Sequence, residues 1–209
     1  MTDPVRLGII GGTFDPIHLG HLGIAEAARS KFALDRVIFV PAAAPPHKGG
    51  RSIAPAADRL AMISLAIAGK PYFAASDIEM RREGPSYTID TLDEFSALNP
   101  DAKIFFIVGA DSLLELHQWH HAKELASRYD FIIVGRPGSP LPSAEQLAAH
   151  FGQKAAEKLC SGILTVEPYD VSATEIRRRV AEGKNLSRLV TDEVAGYIID
   201  KGLYARGEA

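Results

Sequence analysis

The residues best suited to chemistry in this 209-residue chain lie between Gly11 and His21, in the run Gly-Gly-Thr-Phe-Asp-Pro-Ile-His-Leu-Gly-His. Gly11 and Gly12 carry no side chains, so their backbone N–H groups can approach a phosphate, and Thr13 and Phe14 continue the turn. His18 and His21 stand three apart, a spacing that places both on one face at the head of a helix, where each ring can donate to a phosphate oxygen. Two other chemistries fit the same residues. A tight strand-to-helix turn accounts for Gly11-Gly12 with no ligand. Two histidines at helical spacing could also ligate zinc, with Asp15 or the distant His117, His120 and His121 contributing, although no glutamate follows His18 in the zincin manner. Glycine turn and histidine pair together favour phosphate over either alternative.

A second cluster, Val171-Ser172-Ala173-Thr174-Glu175-Ile176-Arg177, lies far downstream. Two hydroxyls in a first helical turn and an arginine one turn later suit a polyphosphate, because the helix dipole, the hydroxyls and a guanidinium converge on anionic oxygen. Ser172 with Glu175 also fits a capping box that serves the helix alone. Arg178 and Arg179 belong to a solvated face. No two glycines are two apart, so the dinucleotide fingerprint G-x-G-x-x-G is excluded, and no G-x-x-x-x-G-K-[ST] occurs. Hydride transfer and P-loop hydrolysis recede with them.

The elements that position these residues are legible as short apolar runs. Leu7 to Ile10, Val37 to Val40, Ile104 to Val108 and Phe131 to Val134 lack polar alternation, as buried parallel strands do. Helices are expected between them. The residues after His21 become helical through Ile24, Ala25, Ala28 and Phe32. Asp58 to Ala68 carries Leu60, Ile63 and Ile67 on one face, and Ser86 to Leu98 stacks Ile89, Leu92 and Phe95 before Asn99-Pro100 ends it. Ser143 with Gln146 reads as a capping box, and Thr191 opens a last helix with Val194 and Ile198 inward that finishes at Lys201-Gly202. Strands alternating with helices predict an α/β protein with a mostly parallel sheet. Pro41 to Gly50 and Arg136 to Ser143 each follow a strand and are candidate site walls.

Composition narrows the partners. Lysine plus arginine number 23 against 26 aspartate plus glutamate, so the net charge of −3 supplies no general drive toward nucleic acid. The single cysteine, Cys160, forms no internal disulfide, which predicts a reducing, cytoplasmic setting. The opening Met1-Thr2-Asp3-Pro4 has neither a basic region nor an apolar signal segment, and the greasiest stretch, near Leu60 to Ala68, is too short to cross a bilayer. No membrane partner is expected. A homo-oligomer is left open.

Thr13-Phe14-Asp15-Pro16 followed by His18-Leu19-Gly20-His21 resembles the signature of the HxGH nucleotidyltransferase superfamily, whose second signature resembles Ser172 to Arg177. Pro41 to Lys48, Ser86 to Leu92, Gly109-Ala110-Asp111-Ser112 with Trp119, Arg136-Pro137-Gly138 and the terminal Gly202-Leu203-Tyr204 narrow the resemblance to bacterial nicotinate-nucleotide adenylyltransferases. It covers nearly the whole chain. It implies a Rossmann-like, nucleotidyltransferase-type sheet with helices on both faces, one domain over 1–209, and a C-terminal helical part from about 170 completing an ATP site. The implied reaction joins nicotinate mononucleotide to ATP with Mg²⁺, giving nicotinate adenine dinucleotide and pyrophosphate in NAD synthesis.

The resemblance also implies roles. His18, His21 and Arg177 would be catalytic. Gly11, Gly12, Thr13, Phe14, Gly109, Asp111, Arg136, Ser172 and Thr174 would bind ATP, with the Asp111 carboxylate on ribose hydroxyls. Thr88, Trp119, His47 and Lys48 would bind the mononucleotide, with the indole stacked on the pyridine ring. Pantetheine-phosphate and nicotinamide-preferring adenylyltransferases share the paired histidines and remain alternatives, as does a nucleotide-binding module without turnover. The role of Asp15 stays open.

Overall fold

The computed structural model describes residues 3–44, 53–135, 138–167 and 169–205. In chain order the elements are β1 (Arg6–Gly12), α1 (Leu19–Lys31), β2 (Arg36–Pro41), α2 (Ala56–Ala66), β3 (Phe73–Ala75), α3 (Thr88–Leu98), β4 (Lys103–Gly109), α4 (Ala110–Glu115), α5 (Ala122–Arg128), β5 (Asp130–Gly135), α6 (Ala144–Phe151), α7 (Gln153–Ser161), β6 (Ile163–Thr165), α8 (Ala173–Ala181) and α9 (Asp192–Asp200). Short 3-10 turns at Ile78–Arg81 and Leu116–Gln118 complete the list. The six strands form one sheet in the order β3-β2-β1-β4-β5-β6, which reverses its direction of progression between β1 and β4. That is the doubly wound order, in which ligands bind beyond the carboxyl ends of the strands at the reversal. The expected α/β class is therefore correct.

The chain forms two compact units. The first comprises Met1–Gly11, Ala25–Ile38 and Tyr87–Pro168. Its strand pairs are parallel, with Ile10 opposite Ile107, Phe106 opposite Phe131, and Ile133 opposite Ile163. Strands covered on both faces need apolar side chains at successive positions, and Ile107 of β4 and Ile132 and Ile133 of β5 are wholly buried. Leu92 of α3 and Leu125 of α5 join them. Ile89, Leu92 and Phe95 are all buried, as their spacing predicts. The capping box at Ser143 and Gln146 closes from both sides. Sequence patterning missed β6, a three-residue strand with no closed apolar run. Its approach depends instead on Gly162, where a Cβ would lie 1.9 Å from the Phe131 carbonyl oxygen.

The second unit comprises Gly12–Ile24, Phe39–Ser86 and Tyr169–Ala209. Ile17, Phe39, Met62, Ile63, Val194 and Ile198 are wholly buried in it. The buried stripe of α2 is Arg59, Met62, Ile63 and Ala66. Ile63 and Ile67 are buried as expected, whereas Leu60 is only partly covered and an arginine, Arg59, occupies a core position. β3 was also missed, being three residues long with two alanines. α9 is capped by the Thr191 hydroxyl and ends in a left-handed glycine, Gly202 at φ 64°. The N–H of Leu203 reaches the Ile198 carbonyl and that of Gly202 the Ile199 carbonyl, the paired bonds of a Schellman motif. Tyr197 donates to Asp58 Oδ1 at 2.7 Å, fastening α9 to α2.

Candidate functional site

In the second unit the turn after β1 is held by its own aromatic residue. Phe14 has φ 49°, a region costly for a bulky side chain, and packing must over-determine it. Its buried ring lies edge-on to His21 at 5.0 Å and to Phe39 at 5.9 Å. A Cβ on Gly12 would come within 3.3 Å of that ring, so glycine lets Phe14 fold back over the turn. The Asp15–Pro16 peptide is cis.

The chain enters α1 immediately after His18, and the His18 and His21 rings stack with centroids 3.7 Å apart and planes 19° apart. The shared face predicted from their spacing is present. The His18 N–H donates to His21 Nδ1 at 3.3 Å, so a side chain in the first turn reaches back to the residue that opens the helix, as one half of a capping box does. With Nδ1 accepting, the neutral His21 ring carries its proton on Nε2 and can donate from there. Burial lowers the His18 pKa to about 4. Burial, and secondarily the neighbouring His18, hold His21 well below the ordinary value. Both rings are therefore neutral at pH 7. Gly20, between them, sits in a crowded place: its Cβ would lie 3.0 Å from Val171 Cγ1 and 3.1 Å from His18 Nδ1, so a side chain there would press on both.

α8 supplies the second cluster. The Ser172 hydroxyl accepts the Glu175 N–H at 3.2 Å, but the Glu175 carboxylate turns to Arg178 and Arg179, at 2.8 and 2.7 Å. The expected capping box is therefore half formed. Arg178 and Arg179 are paired with carboxylates of their own helix region. Arg177 instead reaches the turn that carries the histidines. Its Nη2 donates to Thr174 Oγ1 at 2.9 Å, and its Nη1 donates to the Asp15 carbonyl and lies 3.7 Å from Asp15 Oδ2. Thr174 and Arg177 are thereby joined to the turn that carries the histidines.

Two residues that sequence reasoning left unassigned organise this region. Arg59, 2% exposed, donates to the carbonyls of Thr13 at 2.7 Å, Ala42 at 2.8 Å and Ala54 at 2.9 Å. Tyr204 donates to Asp15 Oδ1 at 2.8 Å, and the Ala54 N–H reaches the same oxygen at 3.2 Å. The signal for Arg59 was available, since it falls three and four residues before Met62 and Ile63 on an apolar helix face. For Tyr204 there was none beyond its resemblance to the family's ending.

In the first unit, β4 ends at Gly109, which precedes the first turn of α4. A Cβ at Gly109 would meet nothing within 4 Å, so packing does not require glycine there. Asp111 is exposed and is the second residue of α4, so it is not the N-cap of that helix. Trp119 is half-buried, edge-on to Phe106 of β4 at 6.1 Å. Thr88 opens α3, and the preceding Tyr87 stacks on His120 at 4.0 Å, which brings the start of α3 beside the segment bearing Trp119. A Cβ on Gly11 would sit 3.4 Å from the Phe106 ring. His47, Lys48 and Arg136 lie outside the described residues. Among the described residues no three His, Cys, Asp or Glu side chains group as a metal site.

Comparison with known proteins extends this geometry. Residues 9–179 match the cytidylyltransferase-like family. A probable nicotinate-nucleotide adenylyltransferase of Symbiobacterium thermophilum is 44% identical over 204 residues, covering 98% of this chain and 97% of the relative. One from Geobacter metallireducens is 42% identical over 212 residues, covering 96% and 98%. The solved structure of Plasmodium falciparum nicotinic acid mononucleotide adenylyltransferase complexed with NaAD aligns with a TM-score of 0.74 at 18% identity, covering 96% of this chain and 97% of that one. At that identity the likeness concerns the fold.

Proposed function

The chain belongs to the cytidylyltransferase-like family, and from that premise we propose that it transfers the adenylyl group of ATP to nicotinate mononucleotide, in NAD biosynthesis. It is a nucleotidyltransferase. The observation that carries the reading is the stacked, neutral His18–His21 pair beside an Asp15 that also binds Arg177. A phosphate oxygen of the mononucleotide attacks the α-phosphorus of ATP, a new P–O–P bond forms, and the bond to the β-phosphate oxygen breaks, releasing pyrophosphate. No covalent enzyme intermediate is needed, so the protein's task is positioning and charge stabilisation.

Neutral imidazoles suit that task, because each donates one N–H to the α- and β-phosphate oxygens without needing to lose a proton. Arg177, Ser172 and Thr174 grip the outer phosphates, so the helical part from about 170 completes the ATP site of a single domain over 1–209. Gly11, Gly12, Thr13 and Phe14 shape the phosphate turn. Gly109 and Asp111 hold the ribose, Arg136 is assigned to ATP binding, and Thr88, Trp119, His47 and Lys48 hold the mononucleotide. The donors at the histidine pair are imidazole, hydroxyl and guanidinium, with the Asp15 carboxylate already bound by Tyr204, Ala54 and Arg177. That set favours phosphate oxygen over a bare hard cation, so Mg²⁺ enters as Mg-ATP, held through the substrate's phosphates. The lone Cys160 supports a cytoplasmic setting.

The test is pyrophosphate release from Mg-ATP with nicotinate mononucleotide, nicotinamide mononucleotide and phosphopantetheine offered separately. Release with nicotinate mononucleotide in strong preference is expected, and His18→Ala should lower it by about a hundredfold or more. Preference for another acceptor would remove Thr88 and Trp119 as pyridine readers. No release with any acceptor would leave a nucleotide-binding module.

A further inference from the structure

Building on the phosphate role given to Arg177, we propose that Tyr204 is a positioning residue for ATP, acting through Asp15 to hold the Arg177 guanidinium in place. The path starts in the sequence. Gly202 takes a left-handed conformation that closes α9, Leu203 turns into the core, and Tyr204 follows, itself at φ 62°. A left-handed backbone on a bulky residue such as Tyr204 persists only where surrounding contacts over-determine it. The contact made here is the hydroxyl bond to Asp15 Oδ1.

Asp15 is 5% exposed and its groups have distinct partners. Oδ1 accepts from Tyr204 at 2.8 Å and from the Ala54 N–H at 3.2 Å, Oδ2 faces Arg177 Nη1 at 3.7 Å, and the main-chain carbonyl accepts from the same Nη1. Two donors on one oxygen fix the carboxylate's rotation and keep the other oxygen short of a close pair with Arg177. Without the tyrosine hydroxyl, Oδ1 keeps the longer Ala54 bond as its one hydrogen bond among the described residues. The carboxylate can then rotate to take the guanidinium in a two-toothed pair, the stronger arrangement for arginine and carboxylate. Arg177 would be drawn from Thr174 and from the orientation that serves phosphate. Burial, and secondarily the Asp15 carboxylate, keep the Tyr204 hydroxyl protonated well above its usual range, so the donor persists at all working pH values.

Calorimetric titration of Mg-ATP, and separately of nicotinate mononucleotide, into the wild-type chain, Tyr204→Phe, Arg177→Lys and the double variant tests this. Phenylalanine keeps the ring and removes only the hydroxyl. The expected result is about tenfold weaker Mg-ATP binding in Tyr204→Phe, with mononucleotide binding unchanged, and less than about a twofold further effect of Tyr204→Phe in the Arg177→Lys background. Unchanged Mg-ATP binding, equal weakening of both ligands, or full additivity with Arg177→Lys would overturn it. Because the readout is binding, a chain that binds Mg-ATP but releases no pyrophosphate overturns the adenylyl-transfer reading while this contrast still stands.

Discussion

His18 and His21 lose water to each other and, for His21, to Phe14, so their charged forms are disfavoured. The consequence for pH follows by sign. His18 titrates near 6.5 when unfolded and near 4 when folded, so between those values the unfolded chain binds more protons. Its contribution is fully present above pH 6.5 and is lost as pH falls toward 4, at up to about 1.4 kcal/mol per pH unit. Urea midpoints at pH 7, 6 and 5 should fall in that order, and the His18 ring resonances should show no titration near 6.5. Saturating pyrophosphate should move the titration upward, because an adjacent anion favours imidazolium. A His18 midpoint near 6.5 without ligand would contradict the buried, neutral pair. At this scale the sequence revealed residue types and spacing, but protonation depends on burial, which spacing does not encode.

At the scale of elements, the turn into α1 works because small residues sit where two side chains must share space. Gly20→Ala adds a methyl 3.0 Å from Val171 and 3.1 Å from His18 Nδ1. It should destabilise the protein by about 1–3 kcal/mol and displace the His18 ring. Thermal melting checks the first effect and the turnover of the folded variant the second; a wild-type melting point together with wild-type turnover would show that the crowding is harmless. Arg59 illustrates why part of α2 was misread. Apolar spacing predicts which face turns inward, yet here a guanidinium is the inward residue because three carbonyls converge to solvate it. Long apolar strands announced themselves, whereas β3 and β6, three residues each, rely on pairing rather than composition.

For the whole molecule, a net charge of −3 attracts no polyanion from a distance, so affinity for ATP must come from local groups. A ligand held that way still stabilises the folded state by mass action. Mg-ATP at a hundred times its dissociation constant should add about 2.7 kcal/mol and raise the melting temperature by roughly 5–10 °C. Calorimetric melting with and without Mg-ATP measures this, and an unmoved transition would argue against any nucleotide site. The site's short motifs, His18 to His21 and Ser172 to Arg177, were readable because each is local in sequence. Their joining was implied by the family resemblance alone, and the contacts that make it were not readable, because Arg59 meets a carbonyl 46 residues away, Arg177 meets Asp15 across 162 residues, and Tyr204 meets it across 189. Those separations also set a schedule for synthesis. A ribosome adding about 5–20 residues per second translates Asp15 early and reaches Tyr204 roughly 10–40 s later. Throughout that interval the carboxylate at the heart of the phosphate turn lacks its tyrosine, and a chain stalled before residue 177 lacks the arginine as well. Ribosome-bound chains of that length should therefore sequester no nucleotide, so each copy becomes able to draw on ATP only once the segment through Tyr204 has been made.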